Sequence, residues 1–437
     1  MALLNSTTII ADDLTGANDT ALQYFKKGCS SRVVIDFGEN IIEADDVDVW
    51  SISTESRNVE KEVALERIIE VANKVKELSK SENYYKKIDS TLRGNTGLEI
   101  VALLEALEKD VAIVAPAYPE ENRTTVGGYQ LLNGVPIERT QCALDPKSPI
   151  YDSCIADILK KDLNPQLHTL IGNIEFNTVV KGAGPIILKL NELVQKGKKI
   201  IIIDAISNTD LEQIALAIDK SQYDILPCGS AGLAQAMSNK IGEDIKNEHV
   251  ENIPKCAKLI LSGSATQLCA NQIQKLKEER ADIFCVDLTI EDIIKDIDLD
   301  RIDQICEKLN SNVDVVIHCS MINEELKEED ALNKLIDAGI AKADFPGKIT
   351  DFLANILYEI NHKSNFILIM VGGETSFKCA QKINSSYLEI LDAIAPAIPL
   401  CIDANGKIIT TKSGNFGTNS TLIEILNYFD RFKHEQL

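Results

Sequence analysis

Short runs of apolar and β-branched residues alternate with longer amphipathic stretches along the whole chain. Within residues 59–78, apolar positions recur at helical spacing while Glu and Lys fill the other face, which predicts a long surface helix. The alternation is typical of βα units around a mainly parallel sheet. In the first half, the predicted strands lie at residues 7–11, 32–35, 48–53, 84–88, 111–115 and 199–204.

The same alternation restarts after a polar stretch at residues 238–255, which predicts a boundary between two domains. Beyond it, strands are predicted at residues 259–261, 283–286, 313–318, 366–371 and 399–402, with helices from Thr266, Asp351, Thr375 and Ser420. We expect an N-terminal domain over residues 1–240, a linker over 241–256 and a C-terminal domain over 257–437. The predicted fold class is α/β, with a mainly parallel sheet flanked by helices in each domain.

The composition narrows the functional classes. The 437 residues include 45 Lys and Arg against 67 Asp and Glu, which gives a formal net charge of -22. This charge argues against nucleic acid or an anionic membrane surface as a partner, because both bind positively charged faces. The eleven cysteines lie singly without a CxxC pair, so neither a zinc site nor a disulfide framework is expected.

Targeting and membrane signals are absent from the sequence. The N-terminus lacks a basic region followed by a long apolar stretch, and no segment approaches about 18 uncharged apolar residues. We therefore expect a cytoplasmic protein without a membrane partner. Acidic α/β enzymes of this size are often dimers, so a homodimer is an expectation, although the sequence shows no interface signature.

Two adjacent carboxylates, Asp12 and Asp13, follow the first predicted strand. Ligands of open α/β sheets bind at the carboxyl ends of the strands. Carboxylates placed there can act as a general base or bind a hard cation. The alternative is that they only cap the N-terminus of the next helix.

Several cations also follow predicted strands. Strand alternation places Lys87 and Asp89 on one face, where Lys87 can hold an anion while Asp89 accepts a hydrogen bond. Arg93 lies in the same segment, Arg57 lies just beyond another strand, and Arg123 lies in a loop rich in turn formers. Each cation alone is compatible with an ordinary solvated surface. Their shared position after strands favours an anionic ligand.

Three glycine-bearing loops in the second half are candidate phosphate cradles. Residues 371–376 (VGGETS) follow an apolar strand and open a helix, so backbone N–H groups and the helix dipole would face an anion. Residues 262–266 (SGSAT) repeat that design, and residues 412–417 (KSGNFG) form a third loop with a Lys. The alternative for each loop is tight packing alone. The sequence has neither a Walker A motif nor GxGxxG, which argues against P-loop NTPases and dinucleotide dehydrogenases.

Seven segments, read together, resemble the four-carbon acid sugar kinase family. They are ADDLTGANDT (residues 11–20), TESR (54–57), KKIDSTLRGN (86–95), APAYPEENRTT (115–125), CGSAGLA (228–234), VGGETS (371–376) and KSGNFG (412–417). The resemblance implies an N-terminal domain that binds a sugar acid and a C-terminal domain that binds ATP. It further implies that a terminal hydroxyl of the sugar acid is phosphorylated, so the expected partners are small molecules.

The resemblance also implies roles for individual residues. Asp12 and Asp13 would be catalytic, with one of them orienting or deprotonating the terminal hydroxyl. The residues implied around the sugar acid are Arg57, Lys87, Asp89, Ser90, Arg93 and Arg123, with Arg57 or Arg93 binding the carboxylate. Those implied around the nucleotide are Ser264, Gly372, Gly373, Glu374, Thr375 and Gly414. Mg²⁺ would bridge the ATP phosphates, with no protein ligand assigned to it.

The sequence indicates the type of reaction but leaves several four-carbon acids open as the substrate. The family loop usually reads Gly-Arg where this chain has Asn122-Arg123. Residues 11–20 and 144–146 resemble the branch that acts on D-threonate, with D-erythronate and 3-oxo-tetronate as alternative substrates. A non-catalytic sensor of sugar acids and nucleotides is the alternative from another class, because a fold and its pockets do not prove turnover.

Overall fold

The computed structural model of the protein describes residues 7–36, 47–78, 83–145, 147–242, 253–264, 266–295, 297–319, 322, 326, 329–342 and 344–434. The chain forms two compact units. The N-terminal unit comprises Met1–Val33 and Ile42–Ile245, and the C-terminal unit comprises Val34–Ile41 and Lys246–Leu437. The predicted boundary and linker lie partly outside the described residues, which omit 243–252, so these bounds stay a prediction.

The N-terminal unit is built on a mainly parallel sheet. Its strands follow the spatial order β2-β3-β1-β4-β11-β5-β10-β9, and the pairs from β3 to β9 are parallel. A separate antiparallel sheet contains β6, β7 and β8. The strands are β1 (Thr7–Ala11), β2 (Ser31–Val34), β3 (Val49–Ser53), β4 (Asn83–Lys87), β5 (Val111–Ala115), β6 (Arg123–Val126), β7 (Tyr129–Leu132), β8 (Val135–Pro136), β9 (Ile171–Ile174), β10 (Ile200–Ile203) and β11 (Ile225–Gly229).

Helices flank this sheet. They are α1 (Leu14–Phe25), α2 (Lys61–Leu78), α3 (Thr96–Ala106), α4 (Ile155–Lys160), α5 (Phe176–Val179), α6 (Ala183–Gln195), α7 (Asn208–Asp219) and α8 (Ala231–Ser238), with 3-10 helices at Pro119–Glu121, Ile137–Arg139, Gln141–Leu144 and Pro165–Leu170. Strands β5 and β10 read VAIVA and IIII with every residue buried, as expected where helices cover both faces of a parallel sheet. Trp50, the single tryptophan of the chain, is buried on β3 with the Arg32 guanidinium 5.5 Å from its ring centroid.

The C-terminal unit repeats the α/β design with an antiparallel edge. Its strands follow the order β13-β14-β12-β15-β18-β17-β16. The pairs from β13 to β18 are parallel, and β17 is antiparallel to both β18 and β16. The strands are β12 (Lys258–Ser262), β13 (Phe284–Asp287), β14 (Val315–His318), β15 (Ile367–Val371), β16 (Tyr387–Ala395), β17 (Ile398–Asp403) and β18 (Ile408–Lys412). The helices are α9 (Gln267–Glu279), α10 (Ile290–Ile294), α11 (Leu299–Asn310), α12 (Glu329–Asp337), α13 (Phe345–Asn361), α14 (Gly373–Lys382) and α15 (Thr421–His434).

The predicted fold class is confirmed in both units, and β1 and β5 have the predicted bounds. The unpredicted strands are β6 to β9, β11, β16 and β18. In β11, Pro227 and Gly229 interrupt the usual strand pattern. Helix α13 begins at Phe345 rather than at the predicted Asp351, because Pro346 fits its first turn. In the part of the chain that the structure describes, no helix has the length and apolarity needed to span a membrane.

Candidate active site

Three parallel strands bring most of the predicted sugar-acid residues to one edge of the N-terminal sheet. Strand β1 lies between β3 and β4, with Ala11 opposite both Ser53 and Lys87. The residues that follow these strands therefore meet at their carboxyl ends. Asp12 and Asp13 follow β1, the TESR segment follows β3, and Asp89 and Arg93 follow β4.

Arg57 joins the two adjacent carboxylates. Its Nε and Nη2 atoms donate to Asp12 at 2.9 and 2.8 Å, and its Nη1 and Nη2 atoms donate to Asp13, each at 2.7 Å. Burial by itself would raise the pKa of Asp12, but the charge and hydrogen bonds of Arg57 outweigh it and hold that pKa below its ordinary value. Asp12 is therefore an anion, and Arg57 fixes the orientation of both carboxylates.

A second ion-paired cluster adjoins the first. Arg93 donates from Nε and Nη2 to Asp89 at 2.8 and 3.0 Å, and from Nη1 to Asp145 at 3.0 Å. An Asp89 oxygen also lies 3.8 Å from Nη2 of Arg57. Burial opposes the ionisation of Asp89, but Arg93 and Arg57 hold its pKa well below the ordinary value. The carboxylates after β1 and β4 thus belong to one ionic network.

Asp13 also caps helix α1, which is the structural role that the sequence left open for it. Its carboxylate accepts from the Gly16 N–H at 2.9 Å and from Thr15 Oγ1 at 2.7 Å. Glu55 supports the same helix end, since its Oε1 accepts from the Leu14 N–H at 2.8 Å. Burial, reinforced by the charge of Asp13, raises the pKa of Glu55 to about 8. Glu55 is therefore mostly protonated at neutral pH.

Lys87 is a nearly buried cation at the end of β4, with 5% of its surface exposed. Its Nζ donates to the Ile88 carbonyl at 2.8 Å and, among the described residues, to no other acceptor. A Cβ at Gly16 would lie 2.9 Å from this Nζ and 2.5 Å from Asp13 Oδ1, so any other residue there would displace the ends of these two side chains. Lys87 therefore has N–H groups available beside the first turn of α1.

Asp19 lies farther along α1 and is 7% exposed. Its Oδ1 accepts from Gln23 Nε2 at 3.2 Å. Burial raises the pKa of Asp19 to about 6, and the positive charge of Lys87 opposes that rise. Asp19 is thus a buried carboxyl group without an arginine partner among the described residues, in contrast to the carboxylates after β1 and β4.

The remaining predicted residues, Ser90 and Arg123, lie near the antiparallel sheet. The Ser90 carbonyl accepts from Gln130 Nε2 at 2.7 Å. Arg123 begins β6 and donates to the carbonyl and the carboxylate of Glu121 at 2.5 and 3.1 Å. Burial raises the pKa of Tyr118, and there the negative charge of Asp19 and the positive charge of Arg123 act in opposite directions. Asp19 and Arg123 therefore both lie within electrostatic reach of Tyr118.

In the C-terminal unit, three neighbouring parallel strands bring the glycine loops together. Strand β15 pairs with both β12 and β18, so the loops that follow these strands lie side by side. The Gly263 N–H donates to the Val371 carbonyl at 3.3 Å, and the Gly372 N–H donates to the Lys412 carbonyl at 2.8 Å. The loops contain all the predicted nucleotide residues: Ser264, Gly372, Gly373, Glu374, Thr375 and Gly414.

Side chains are excluded where these loops meet. A Cβ at Gly414 would lie 2.3 Å from Ser264 Oγ, and one at Gly263 would lie 2.2 Å from Thr375 Oγ1. Gly372 is the N-cap of α14, has a φ of 110° and contributes no side-chain cap. The first-turn N–H groups of α14 are consequently not capped by that residue. Such groups are suited to bind phosphate oxygens.

A second buried lysine, Lys412, ends β18 beside these loops. Its Nζ donates to the Ser413 carbonyl at 2.8 Å, and burial lowers the pKa of Lys412 below its ordinary value. Thr266 Oγ1 donates to the Gly414 carbonyl at 3.0 Å and so connects the loop of residues 262–266 with the loop of residues 412–417. The arrangement combines uncapped amide groups with one buried positive charge, which suits a polyphosphate.

Metal-ligating side chains do not cluster in the part of the chain that the structure describes. No group of three or more His, Cys, Asp or Glu residues there is arranged to hold a metal ion.

Proteins of similar sequence match almost the full chain. It is 29% identical to the D-threonate kinase of Salmonella typhimurium over 97% of this chain and 98% of that protein. It is 28% identical to the D-erythronate kinase of Heliobacterium modesticaldum over 97% of each. The crystal structure of Haemophilus influenzae protein HI1011 has the same fold, with a TM-score of 0.72, 24% identity and coverage of 97% of this chain and 100% of that one.

The two units also match two described domains. Residues 7–237 match a sugar-binding N-terminal domain, and residues 259–422 match a nucleotide-binding C-terminal domain. The relatives that match the chain over nearly its whole length are acid sugar kinases, so the protein is a phosphotransferase. The chain belongs to the four-carbon acid sugar kinase family, as its motifs predicted.

Four residues described above were not predicted as site residues: Asp19, Glu55, Asp145 and Lys412. Three of them lie inside the seven segments that carry the family resemblance, and Asp145 lies in residues 144–146, which resemble the D-threonate branch. Their position in those segments was therefore an available signal. Their burial and their hydrogen-bond partners depend on which strands become neighbours. That information is not contained in any single segment.

Proposed function

We propose that the protein transfers the γ-phosphoryl group of ATP to the terminal hydroxyl of a four-carbon acid sugar, with D-threonate as the substrate. The observation that supports this most directly is the contrast between the two sites. The N-terminal edge offers fixed charges for a small anion with hydroxyl groups, and the C-terminal loops offer backbone N–H groups for phosphates. The D-threonate kinase of Salmonella typhimurium, similar over 97% of the chain, supports the choice of substrate.

Arg93 is the arginine that we assign to the substrate carboxylate. A guanidinium carries five N–H groups. Arg57 uses its Nε, one hydrogen on Nη1 and both on Nη2 for Asp12 and Asp13, whereas Arg93 keeps an N–H group on each Nη atom. Arg93 is also the more exposed of the two, at 21% against 10%. Arg57 then orients Asp12 and Asp13, which position the hydroxyl groups of the sugar.

ATP is assigned to the three glycine loops, with Lys412 and the first turn of α14 facing its phosphates. Mg²⁺, when bound to ATP, would neutralise charge on the transferred phosphoryl group. Because the described side chains form no metal cage, we propose that the ion arrives with ATP. Omission of Mg²⁺ from the assay is therefore expected to abolish turnover while leaving the fold intact.

The first experiment is ADP release from ATP and Mg²⁺ with D- and L-threonate, D- and L-erythronate, their 3-oxo forms, and gluconate as a six-carbon control. We expect the highest kcat/KM with D-threonate. Higher kcat/KM with erythronate or a 3-oxo acid would replace the substrate and keep the reaction. Ligand-dependent stabilisation without ADP release would instead identify a sensor and contradict the proposed reaction.

A matched pair of arginine variants tests the carboxylate assignment. Loss of a charged hydrogen bond costs about 1.5–3 kcal/mol, so Arg93→Ala should raise the KM for the sugar acid roughly 10- to 150-fold with a smaller change in the KM for ATP. Arg139→Ala is the control, because the Arg139 side chain is 75% exposed. Equal KM values in the two variants would remove Arg93 from the carboxylate site.

We also propose a reducing compartment, the cytoplasm. All eleven cysteines are free thiols, and most are buried. Retention of activity in a thiol reductant would fit this proposal, whereas inactivation by the reductant would contradict it. The homodimer stays a prediction.

A further inference from the structure

The proposed transfer requires a group that accepts the proton of the substrate hydroxyl. The carboxylates after β1 and β4 are poorly suited to this task, because each accepts charged hydrogen bonds from an arginine at 2.7–3.0 Å. Such pairing stabilises the anion and weakens it as a base. Asp145 is held in the same way by Arg93 at 3.0 Å.

Glu55 is also poorly suited. Its Oε1 already accepts from the Leu14 N–H and from Ser53 Oγ, at 2.8 and 2.7 Å. Its pKa of about 8 leaves it mostly protonated at neutral pH, where it cannot take up another proton. Its geometry and protonation indicate a role in holding the start of α1.

Asp19 differs from all of these carboxylates. Its Oδ1 has one long hydrogen bond, 3.2 Å from Gln23 Nε2, and its Oδ2 accepts none from the described residues. The side chain still reaches solvent, with 7% exposure. The charged and titratable groups that act on Asp19 or respond to it are Lys87 on β4, Lys26 after α1, Glu121 on the first 3-10 helix, Tyr118 after β5 and Tyr85 on β4.

Lys87 gives Asp19 a suitable setting. The ammonium group retains N–H groups beside the first turn of α1, and its charge lowers the pKa of Asp19, against the stronger effect of burial. With a pKa of about 6, Asp19 is ionised at neutral pH yet remains basic enough to accept a proton in the transition state. A cation within electrostatic reach of the base can also bind the oxygen that attacks phosphorus.

We infer that Asp19 is the general base of the kinase. This inference rests on the proposed function. As the terminal hydroxyl oxygen forms its bond to the γ-phosphorus, the hydroxyl proton passes to Asp19 Oδ2. The bond between the γ-phosphorus and the bridging oxygen of ATP breaks, and ADP leaves with that electron pair. Asp19 then releases the proton to solvent.

The test compares Asp19→Asn with Asp12→Asn and Asp13→Asn in the full-length protein, with the preferred acid, ATP and Mg²⁺. Loss of a general base costs roughly 10²- to 10⁴-fold in kcat. We expect that loss in Asp19→Asn, with KM values for acid and ATP changed only a few-fold. As the pH is lowered, the wild-type kcat should fall with an apparent pKa of about 6, because Asp19 becomes protonated. Asp19→Asn should show no such fall at acidic pH.

Asp19→Glu keeps the carboxylate and guards against a purely structural effect. It should retain the acid-side fall and recover part of the lost kcat. A kcat near wild type in folded Asp19→Asn, or the loss of the acid-side fall in Asp12→Asn or Asp13→Asn instead, would overturn the inference. If Asp19→Asn does not fold, a wild-type kcat that stays constant between pH 5 and 7 would overturn it, and an acid-side fall retained by Asp19→Glu would support it. Failure of the proposed function itself is distinct, because the wild-type protein would then release no ADP with any acid of the panel.

Discussion

The two units use the same part of an α/β sheet in opposite ways. At the carboxyl edge of the N-terminal sheet, charged side chains meet one another, and Arg57 holds both Asp12 and Asp13. At the corresponding edge of the C-terminal sheet, loops approach so closely that a Cβ at Gly414 would overlap Ser264. In the proposed function, side chains bind the ligand at the first edge and backbone N–H groups bind it at the second. A small acid with several hydroxyls and a polyphosphate require these two solutions.

One feature is common to both edges. Lys87 and Lys412 each end a strand, are buried, and donate from Nζ to the carbonyl of the next residue at 2.8 Å. Each edge thus contains one buried ammonium group held by the chain next to it. The difference between the edges lies in what surrounds that group.

The largest expected effect is the loss of the central arginine. Arg57→Met leaves Asp12 and Asp13 buried without their partner, and breaking a buried ion pair on one side costs about 3–5 kcal/mol. We expect a loss of this size in the free energy of unfolding of the N-terminal unit, measured by peptide-resolved hydrogen exchange across a urea series. Arg139→Met, at an exposed arginine, should lose less than about 1 kcal/mol. Similar losses in both variants would show that the network is not stabilising.

The next largest effect is expected where the glycine loops meet at the edge of the C-terminal sheet. Gly414→Ala places a methyl group against Ser264 Oγ, and such overpacking costs about 1–3 kcal/mol. We expect the KM for ATP to rise roughly 5- to 150-fold while the KM for the acid changes little. Gly347→Ala is the control, because no atom lies within 4 Å of a Cβ there. Because Ser264 is itself assigned to the nucleotide, Ser264→Gly alone is the reference. Gly414→Ala should raise the KM for ATP much less in that background than in the wild type, and an equal rise in both would exclude the steric explanation.

The stabilities of the two units should depend on pH in opposite directions. In the N-terminal unit, burial raises the pKa of Glu55 from 4.5 to about 8 and that of Asp19 from 3.8 to about 6. The folded unit binds more protons between these values, so its stability falls as pH rises from about 5 to 8. In the C-terminal unit, burial lowers the pKa of His318 from 6.5 to about 4. That unit therefore loses stability as pH falls through this interval.

Between pH 5 and 6.5, the stabilities of the two units should change with pH in opposite directions. Each slope should be at most about 1.4 kcal/mol per pH unit for each titrating group. Hydrogen exchange, corrected for intrinsic rates, measures the stability of both units in one sample. Glu55→Gln should flatten the slope of the N-terminal unit, and His318→Gln that of the C-terminal unit. Slopes of the same sign would contradict the assignment of these groups.

The smallest expected effect concerns Asp145, which pairs with the arginine assigned to the substrate carboxylate. Asp145→Asn removes one ionic partner of Arg93, and a partly exposed pair of this kind is worth about 0.2–1 kcal/mol. The freed guanidinium should bind the acid more tightly, so we expect the KM for the acid to fall up to about 5-fold. A rise in that KM would show that Asp145 instead positions Arg93 for the substrate.

The position of these groups at sheet edges was predictable, but their pairing was not. Strand patterns placed Asp12 and Arg57 after strands and Lys87 near the end of one, and parallel strands deliver such residues to one edge. That Arg57 reaches both aspartates follows from β1 lying between β3 and β4, and lateral strand order is set by packing of the whole sheet. Strand β18, which carries Lys412, was not predicted, because its polar Thr410, Thr411 and Lys412 interrupt the apolar run expected of a buried strand, although threonine itself favours strands.

The environment of Trp50 gives the molecule a built-in optical reporter. The indole is buried on β3, the strand that leads into Arg57, and the sequence contains no other tryptophan. Its fluorescence therefore arises only from the N-terminal unit. Emission excited selectively at the indole follows the unfolding of that unit and any response of that unit to the sugar acid. It requires no label and has no contribution from the unit that holds the glycine loops.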